Sequence, residues 1–262
     1  MPAMPAIDSL LTWPSLVWVV AVMVVGALAH GTMGFGFPLI VTPLIALATD
    51  IHSAVVVSLL PNIAVNLVSV VRGGRWRASI APHWPVAVYV VIGTALGTRL
   101  LLLARPEPLQ LLLAAMIVVF LWQSRIRVSQ GSWLARHARA SAAFFGLLAG
   151  VMSGSVNVAV PPLVIYFMAL GLPAVAMTQI LNLCFLAGRA TQAATLGLSS
   201  EIALSTWLAT LPLTAISLAA LFVGMRLQRR IDPDVFRGLL RKGLWLMAVA
   251  LAAQALLHIA RM

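Results

Sequence analysis

Acidic residues are scarce in this chain: six Asp and Glu among 262 residues, against 17 Lys and Arg. They are Asp8, Asp50, Glu107, Glu201, Asp232 and Asp234, and all fall in expected loops or at the ends of apolar runs. That leaves no buried carboxylate for a proton relay or a sodium site. A cationic substrate would want such a group, so an anion suits this core better. There is one cysteine, Cys184, so no intrachain disulfide forms. It lies in an apolar run and reads as a small packing residue. Charge of either sign is sparse at 9%, where an ordinary soluble domain carries about 25%. No group of side chains suggests a metal, and no motif implies a cofactor.

What the chain has in abundance is apolar surface. It is 62% hydrophobic, with mean hydropathy +1.04. The apolar runs are too long and too numerous for a soluble core. They span Trp13–Ala29, Phe35–Ala48, Ser53–Val71, Trp84–Ala104 and Leu109–Trp122, then Ala140–Met152, Val156–Leu170, Ala174–Leu196, Ile202–Met225 and Val235–Ile259. An α-helix needs about 20 residues to cross the bilayer. Several runs reach that; Phe35–Ala48, Ala140–Met152 and Val156–Leu170 look short. The expected fold is an all-α polytopic membrane protein of about 8–10 hydrophobic helical segments. Trp13–Ala29 ends in a signal-like Ala27-Leu28-Ala29, but Asp8 and the missing basic n-region argue against a leader peptide. Trp13, Trp18, Trp84, Tyr89 and Trp207 suit interfacial anchors.

The two halves echo each other. Gly97, Arg99, Leu100 and Pro106 recur as Gly224, Arg226, Leu227 and Pro233 at a single offset, as do Leu112-Leu113 at Leu239-Leu240. Gly31 with Pro43-Leu44 recurs as Gly150 with Pro162-Leu163 at a slightly smaller offset. Matching loops differ in charge. Arg72-Gly-Gly-Arg75-Trp-Arg77 is basic, while its counterpart near Leu196–Glu201 has no Lys or Arg. Related halves with opposite loop charge predict two inverted-topology repeats. The expected division is residues 1–124 for the first repeat, 125–139 for a cytoplasmic linker and 140–262 for the second. The net charge of +11 therefore reads as the positive-inside pattern, with affinity for anionic lipid headgroups and none implied for nucleic acid. Placing Arg72, Arg75 and Arg77 in the cytoplasm puts all basic residues there except Arg99, Arg105, Arg189 and Arg261. Both termini are then extracytoplasmic, in the inner (plasma) membrane. Oligomeric state is left open.

Three polar constellations interrupt the apolar pattern. The first is Gly31-Thr-Met-Gly34-Phe-Gly36-Phe37-Pro38 after His30. One helix should end near His30 and another begin near Pro38. A helix start inside the membrane offers free N–H groups to an anion. The alternative is a tight turn with glycines for packing. The second is the matching run Gly150-Val-Met-Ser153-Gly154-Ser155-Val-Asn157 before Pro161-Pro162. Its break should face the first across a pseudo-two-fold axis. The third is the series Ser58, Asn62, Asn66 in one half and Thr178, Gln179, Asn182, Arg189, Gln192 in the other. Asn62 and Asn66 share a helix face, as do Thr178 and Asn182. Such groups either line a substrate path or hydrogen-bond between helices. Arg189 has no arginine at the aligned place in the first half. Its guanidinium matches sulfonate or carboxylate oxygens, unless it snorkels to the outer interface. Arg99 and Arg226 read as structural.

The candidate substrate-binding residues are therefore Gly34, Gly36, Asn62, Asn66, Ser153, Ser155, Asn157, Asn182 and Arg189. His30 is a candidate gating or proton-linked group, with a packed neutral histidine as the competing reading. An intramembrane hydrolase built on Ser153 and His30 is disfavoured. Gly-Val-Met-Ser-Gly has not the nucleophile-elbow spacing, and no buried acid orients the histidine.

The glycine run from Gly31 to Pro38-Leu with Pro43, Asn62 with Asn66, and Gly150 through Pro162-Leu with Gly171-Leu-Pro173 together resemble the sulfite exporter TauE/SafE family, also called the toluene sulfonate uptake permease family. The resemblance covers essentially the whole chain. It implies a transporter of sulfite or small organosulfonate anions and carries no set of binding residues with it. The expected function is a secondary exporter of such an anion by alternating access, and not an enzyme. A passive anion channel and an importer of another small organic anion are the alternatives.

Overall fold

A computed structural model describes residues 13–74, 76–123, 133–199, 204–228, 230 and 233–260. The regular structure of these residues is all helical, with no strand among them. The first half contains α1 (Trp13–Met33), α2 (Phe37–Ala48), α3 (Ile51–Gly73), a π-helical turn (Trp76–Ile80), α4 (Trp84–Leu103) and α5 (Pro106–Gln123). A short α6 (Trp133–Arg136) leads to α7 (Ala138–Val156), α8 (Val160–Ala169), α9 (Ala174–Leu198), α10 (Leu204–Leu227) and α11 (Pro233–Ala260). Among the described residues, seven helices are long and apolar enough to cross a membrane: α1, α3, α4, α5, α7, α10 and α11. With α9 also long, this is the expected all-α polytopic membrane architecture. α9 has the length, but its polar series keeps it out of the apolar set. Three of the six acids, Asp8, Glu201 and Asp232, and most of the proposed linker lie outside the described residues, as does Arg75.

Local chemistry sets the boundaries. The α1–α2 break is made by Gly34 and Gly36, whose φ angles of 83° and 113° are left-handed; Pro38 then sits in the first turn of α2. Asp50 caps α3, accepting from the amides of His52 at 2.8 Å and Ser53 at 3.1 Å. Gly74, with φ 70°, ends that helix. Asn157, with φ 66°, ends α7.

Two sequence expectations need correction here. α7 was expected to be short; it runs 19 residues and is long enough to cross a membrane. Among the described residues, the apolar helices too short to cross are α2, of 12 residues, and α8, of 10. The break in the second half falls at Asn157, not at the glycines before it. Gly146, Gly150 and Gly154 lie four apart on one face of α7 and serve close helix packing. A Cβ on Gly150 would lie 2.8 Å from Gly93 Cα, and one on Gly154 would lie 2.6 Å from the Thr98 nitrogen of α4. Gly31 does the same work in α1, against the backbone of α10 at Gly224 and Met225. α7 also begins at Ala138, just inside the segment expected to be linker.

Packing has an exchange pattern. α4 lies on α7 and α10 on α1; α4 touches α9 and α10 touches α3; α3 meets α9, and α5 meets α11. The short α2 and α8 are almost wholly buried, through residues such as Phe37, Leu39, Val41, Leu163 and Phe167. Large apolar side chains on α1, α4, α10 and α11, among them Val25, Leu96, Leu208 and Leu246, face outward. Helices apolar on every side suit a lipid surround. The polar faces of α3 and α9 are thereby left inside the bundle.

Candidate functional site

α3 carries Ser58, Asn62, Asn66 and Ser69 along one face. α9 carries Thr178, Asn182, Arg189 and Gln192. These two helices pack together, so their polar residues form one interior path. Asn62 and Asn66 are fully buried, and Asn182 and Arg189 are 1% and 2% exposed. The two helix breaks meet this path at different heights. The first touches Ser69 and Asn182; the second touches Ser58. Those positions on α3 are about 16 Å apart along the helix. The breaks are therefore staggered, rather than facing each other as the sequence suggested.

At the first break, Asn182 Nδ2 donates to the Gly34 carbonyl at 2.7 Å and to the Thr178 carbonyl at 2.8 Å. His30 is buried beside Asn182. The Phe37 amide donates to His30 Nδ1 at 3.4 Å. His30 Nε2–H can then donate to Ser69 Oγ, 3.0 Å away, and Ser69 Oγ donates in turn to the Val65 carbonyl at 2.8 Å. This chain holds a neutral histidine as a bracket between α1, α2 and α3. It also consumes the amide that the start of α2 was expected to offer an anion. Pro38 has no N–H, and the Leu39 amide returns to the Gly36 carbonyl at 3.0 Å. Gly36 serves as the left-handed cap of α2.

At the second break, Asn157 Nδ2 donates to Thr42 Oγ1 at 2.6 Å and to Ser58 Oγ at 3.1 Å. One side chain thus ties α7, α2 and α3 together. Pro161 and Pro162 remove two amides from the start of α8. The donors near both breaks are therefore mainly side chains.

Arg189 stays inside the bundle. Its guanidinium donates to the carbonyl and the hydroxyl of Ser153 and to Gln192 Oε1. Gln192 Nε2 donates to the Gly154 carbonyl at 2.7 Å. The cation sits at the carbonyl end of α7, where the helix dipole favours it. No carboxylate pairs with it among the described residues. Ser155 is spent within its own helix, donating to the Val151 carbonyl at 2.7 Å. Asn66 Nδ2 donates to both oxygens of Asn62, the carbonyl at 2.7 Å and Oδ1 at 2.6 Å.

The path keeps unspent capacity. Asn62 Nδ2, Asn66 Oδ1, Asn157 Oδ1, Asn182 Oδ1 and Thr94 Oγ1 are buried without a protein partner. Buried polar atoms are ordinarily paired, so water or a polar solute is called for here. Among the described residues, no cluster of His, Cys, Asp and Glu could hold a metal ion. Thr42 and Thr94 were not anticipated from sequence. Each is a hydroxyl within an apolar run, placed only once α2 and α4 are packed.

Long lipid-facing helices, two short buried ones and a polar interior path define a polytopic membrane protein built to pass a solute. The sulfite exporter TauE/SafE family profile matches residues 18–253. The chain belongs to that family and is a membrane transporter of the sulfite and sulfonate type. No curated protein matches it, and no solved structure does.

Proposed function

We propose that this protein is a secondary transporter that exports sulfite or a small organosulfonate across the inner membrane by alternating access. The carrying observation is Arg189, a buried cation on the polar path with no acid beside it among the described residues. An unpaired interior charge is costly, and an anion passing near it offsets that cost. Asn62, Asn66, Asn157 and Asn182 supply the neutral hydrogen-bonding groups along the route.

Residues 1–124 and 140–262 act as inverted repeats about the linker 125–139. The exchange of partners between α4–α7 and α10–α1, and between α4–α9 and α10–α3, supports this reading. Rocking of one repeat against the other moves the site from one side to the other. The loop at Arg72 lies in the cytoplasm, and both termini lie outside. With the cytoplasm negative, each anionic charge leaving gains about 2.3 kcal/mol per 100 mV. Export therefore needs no coupled ion.

Counterflow in proteoliposomes tests this. Labelled sulfite or sulfoacetate should accumulate transiently against unlabelled anion on the far side, and uptake should saturate. Flux without saturation or counterflow would mark a channel. No flux of either anion by folded protein would sink the substrate assignment.

A further inference from the structure

A cavity of about 510 Å³ opens beside the first helix break. Its wall includes Ser69 and Arg72 from α3, Thr178, Gln179 and Asn182 from α9, and Gln228 after α10. It is distinct from the buried Arg189 cluster, which contributes nothing to its lining. Three independent features of this cavity point to an oxyanion.

The first is Gln179. Its side chain lines the cavity, is 3% exposed, and has neither its Oε1 nor its Nε2 bonded to protein. A buried primary amide with both ends unspent is rare. The amide packs against Gly73: a Cβ there would lie 2.8 Å from Gln179 Cδ, so a larger residue would push the amide out of this position. The second is the start of α9. Ala174 and Val175 in its first turn line the cavity. The helix is 25 residues long, and its N-cap is Pro173, which has no side chain able to cap it. The first-turn amides have no intrahelical acceptor and carry the positive end of the dipole. The third is Arg72, exposed at the mouth, with its guanidinium 5.6 Å from the centre of the Phe222 ring. Among the described residues, no acid lines the cavity.

We infer that this cavity is a second anion site, a cytoplasmic station where the transported sulfur oxyanion docks on the α9 amides, Gln179 and Arg72 before reaching Arg189. The inference rests on the transporter reading above. Gln179 donates to one oxygen through Nε2, the first-turn amides to another, and Arg72 supplies long-range attraction. Asn182 forms the inner wall, where the station meets the polar path. An anionic lipid phosphate has the same chemistry; the transported anion is the occupant proposed.

The test uses the full chain in neutral-lipid nanodiscs, with binding of sulfite and sulfoacetate measured by calorimetry. Gln179→Leu keeps the volume and removes the amide. It should weaken binding about tenfold or more, as for a hydrogen bond to a charged group. Val175 is 64% exposed on the rim, so charge can be placed there without disturbing the core. Val175→Glu should weaken binding and Val175→Lys should strengthen it, both effects fading with salt. These two variants serve should Gln179→Leu fail to fold. Unchanged affinity in Val175→Glu and Val175→Lys overturns the station. So does binding that requires anionic lipid, or that anionic lipid competes away while exchange continues. The two readings fail separately. If folded Gln179→Leu exchanges anion with unaltered KM, the station falls and the transporter stands. If wild type binds the anion, with affinity shifted by the rim charges, yet exchanges none, the station stands and the transporter falls.

Discussion

Replacing Arg189 by methionine separates a charge acting on the solute from a strut holding α7 to α9. The substitution keeps much of the apolar volume and removes three hydrogen bonds, two to Ser153 and one to Gln192. Interhelical hydrogen bonds in membrane proteins average about 0.6 kcal/mol, so the loss is about 2 kcal/mol. The favourable charge–dipole term at the α7 terminus adds up to about 1 kcal/mol. Against this, removing a charge from the interior of the membrane relieves about 3 kcal/mol. The terms nearly cancel. Folded Arg189→Met should therefore melt within a few degrees of wild type in the same detergent. Its transport should behave differently. A charge-assisted hydrogen bond to the anion contributes about 1.5–3 kcal/mol, so kcat/KM for sulfite or sulfoacetate should fall about 10-fold to 150-fold. Arg189→Lys keeps the charge without the planar fork and should fall between the two. The assays are thermal unfolding followed by tryptophan fluorescence and initial-rate exchange in liposomes. Wild-type kinetics in Arg189→Met would refute the role of the charge. A melting point lower by tens of degrees would make Arg189 a scaffold residue instead.

Other outcomes follow from the packing. Gly97→Val in α4 should prevent folding or lower the melting temperature sharply, because even a Cβ there would meet the Val151 backbone 2.9 Å away in α7; Gly238→Ala, with nothing within 4 Å of its added methyl, should be neutral or stabilising by up to about 1 kcal/mol. Asn157→Ala loses its bonds to Thr42 and Ser58 and strains a left-handed residue, whereas Asn157→Gly loses the bonds alone, so the alanine variant should melt lower by about 1 kcal/mol in stability. Ser69→Ala removes the acceptor of His30 Nε2 and should lower stability by about 1 kcal/mol, measured by thermal unfolding.

Much of this architecture is readable from residues alone, and the misreadings share one cause. Helix existence followed from apolar length, and the first break followed from glycines with a proline just beyond. Gly34 and Gly36 are indeed left-handed. In the second half, the same signature at Gly150 and Gly154 proved to be a packing face, because glycine permits both a break and a close approach. The spacing of four along α7 was the clue that favours packing. Asn157, a residue tolerant of left-handed backbone, was in the candidate set for its amide and turned out to carry the break as well. Arg189 stood out as an isolated charge, yet its partners Ser153 and Gln192 became visible only when α7 lay on α9. Gln179 was read with the polar series and passed over as a site. What sets it apart is the space left by Gly73 on another helix, which no local pattern encodes.

The most direct test of the account is sulfoacetate efflux from proteoliposomes across an imposed potassium-diffusion potential, with no sodium or proton gradient. An electrogenic carrier of an anion should show saturable efflux that accelerates when the interior is made negative and slows when the sign is reversed. Efflux that ignores voltage, or that requires a sodium or proton gradient, would contradict the account of uncoupled anion export.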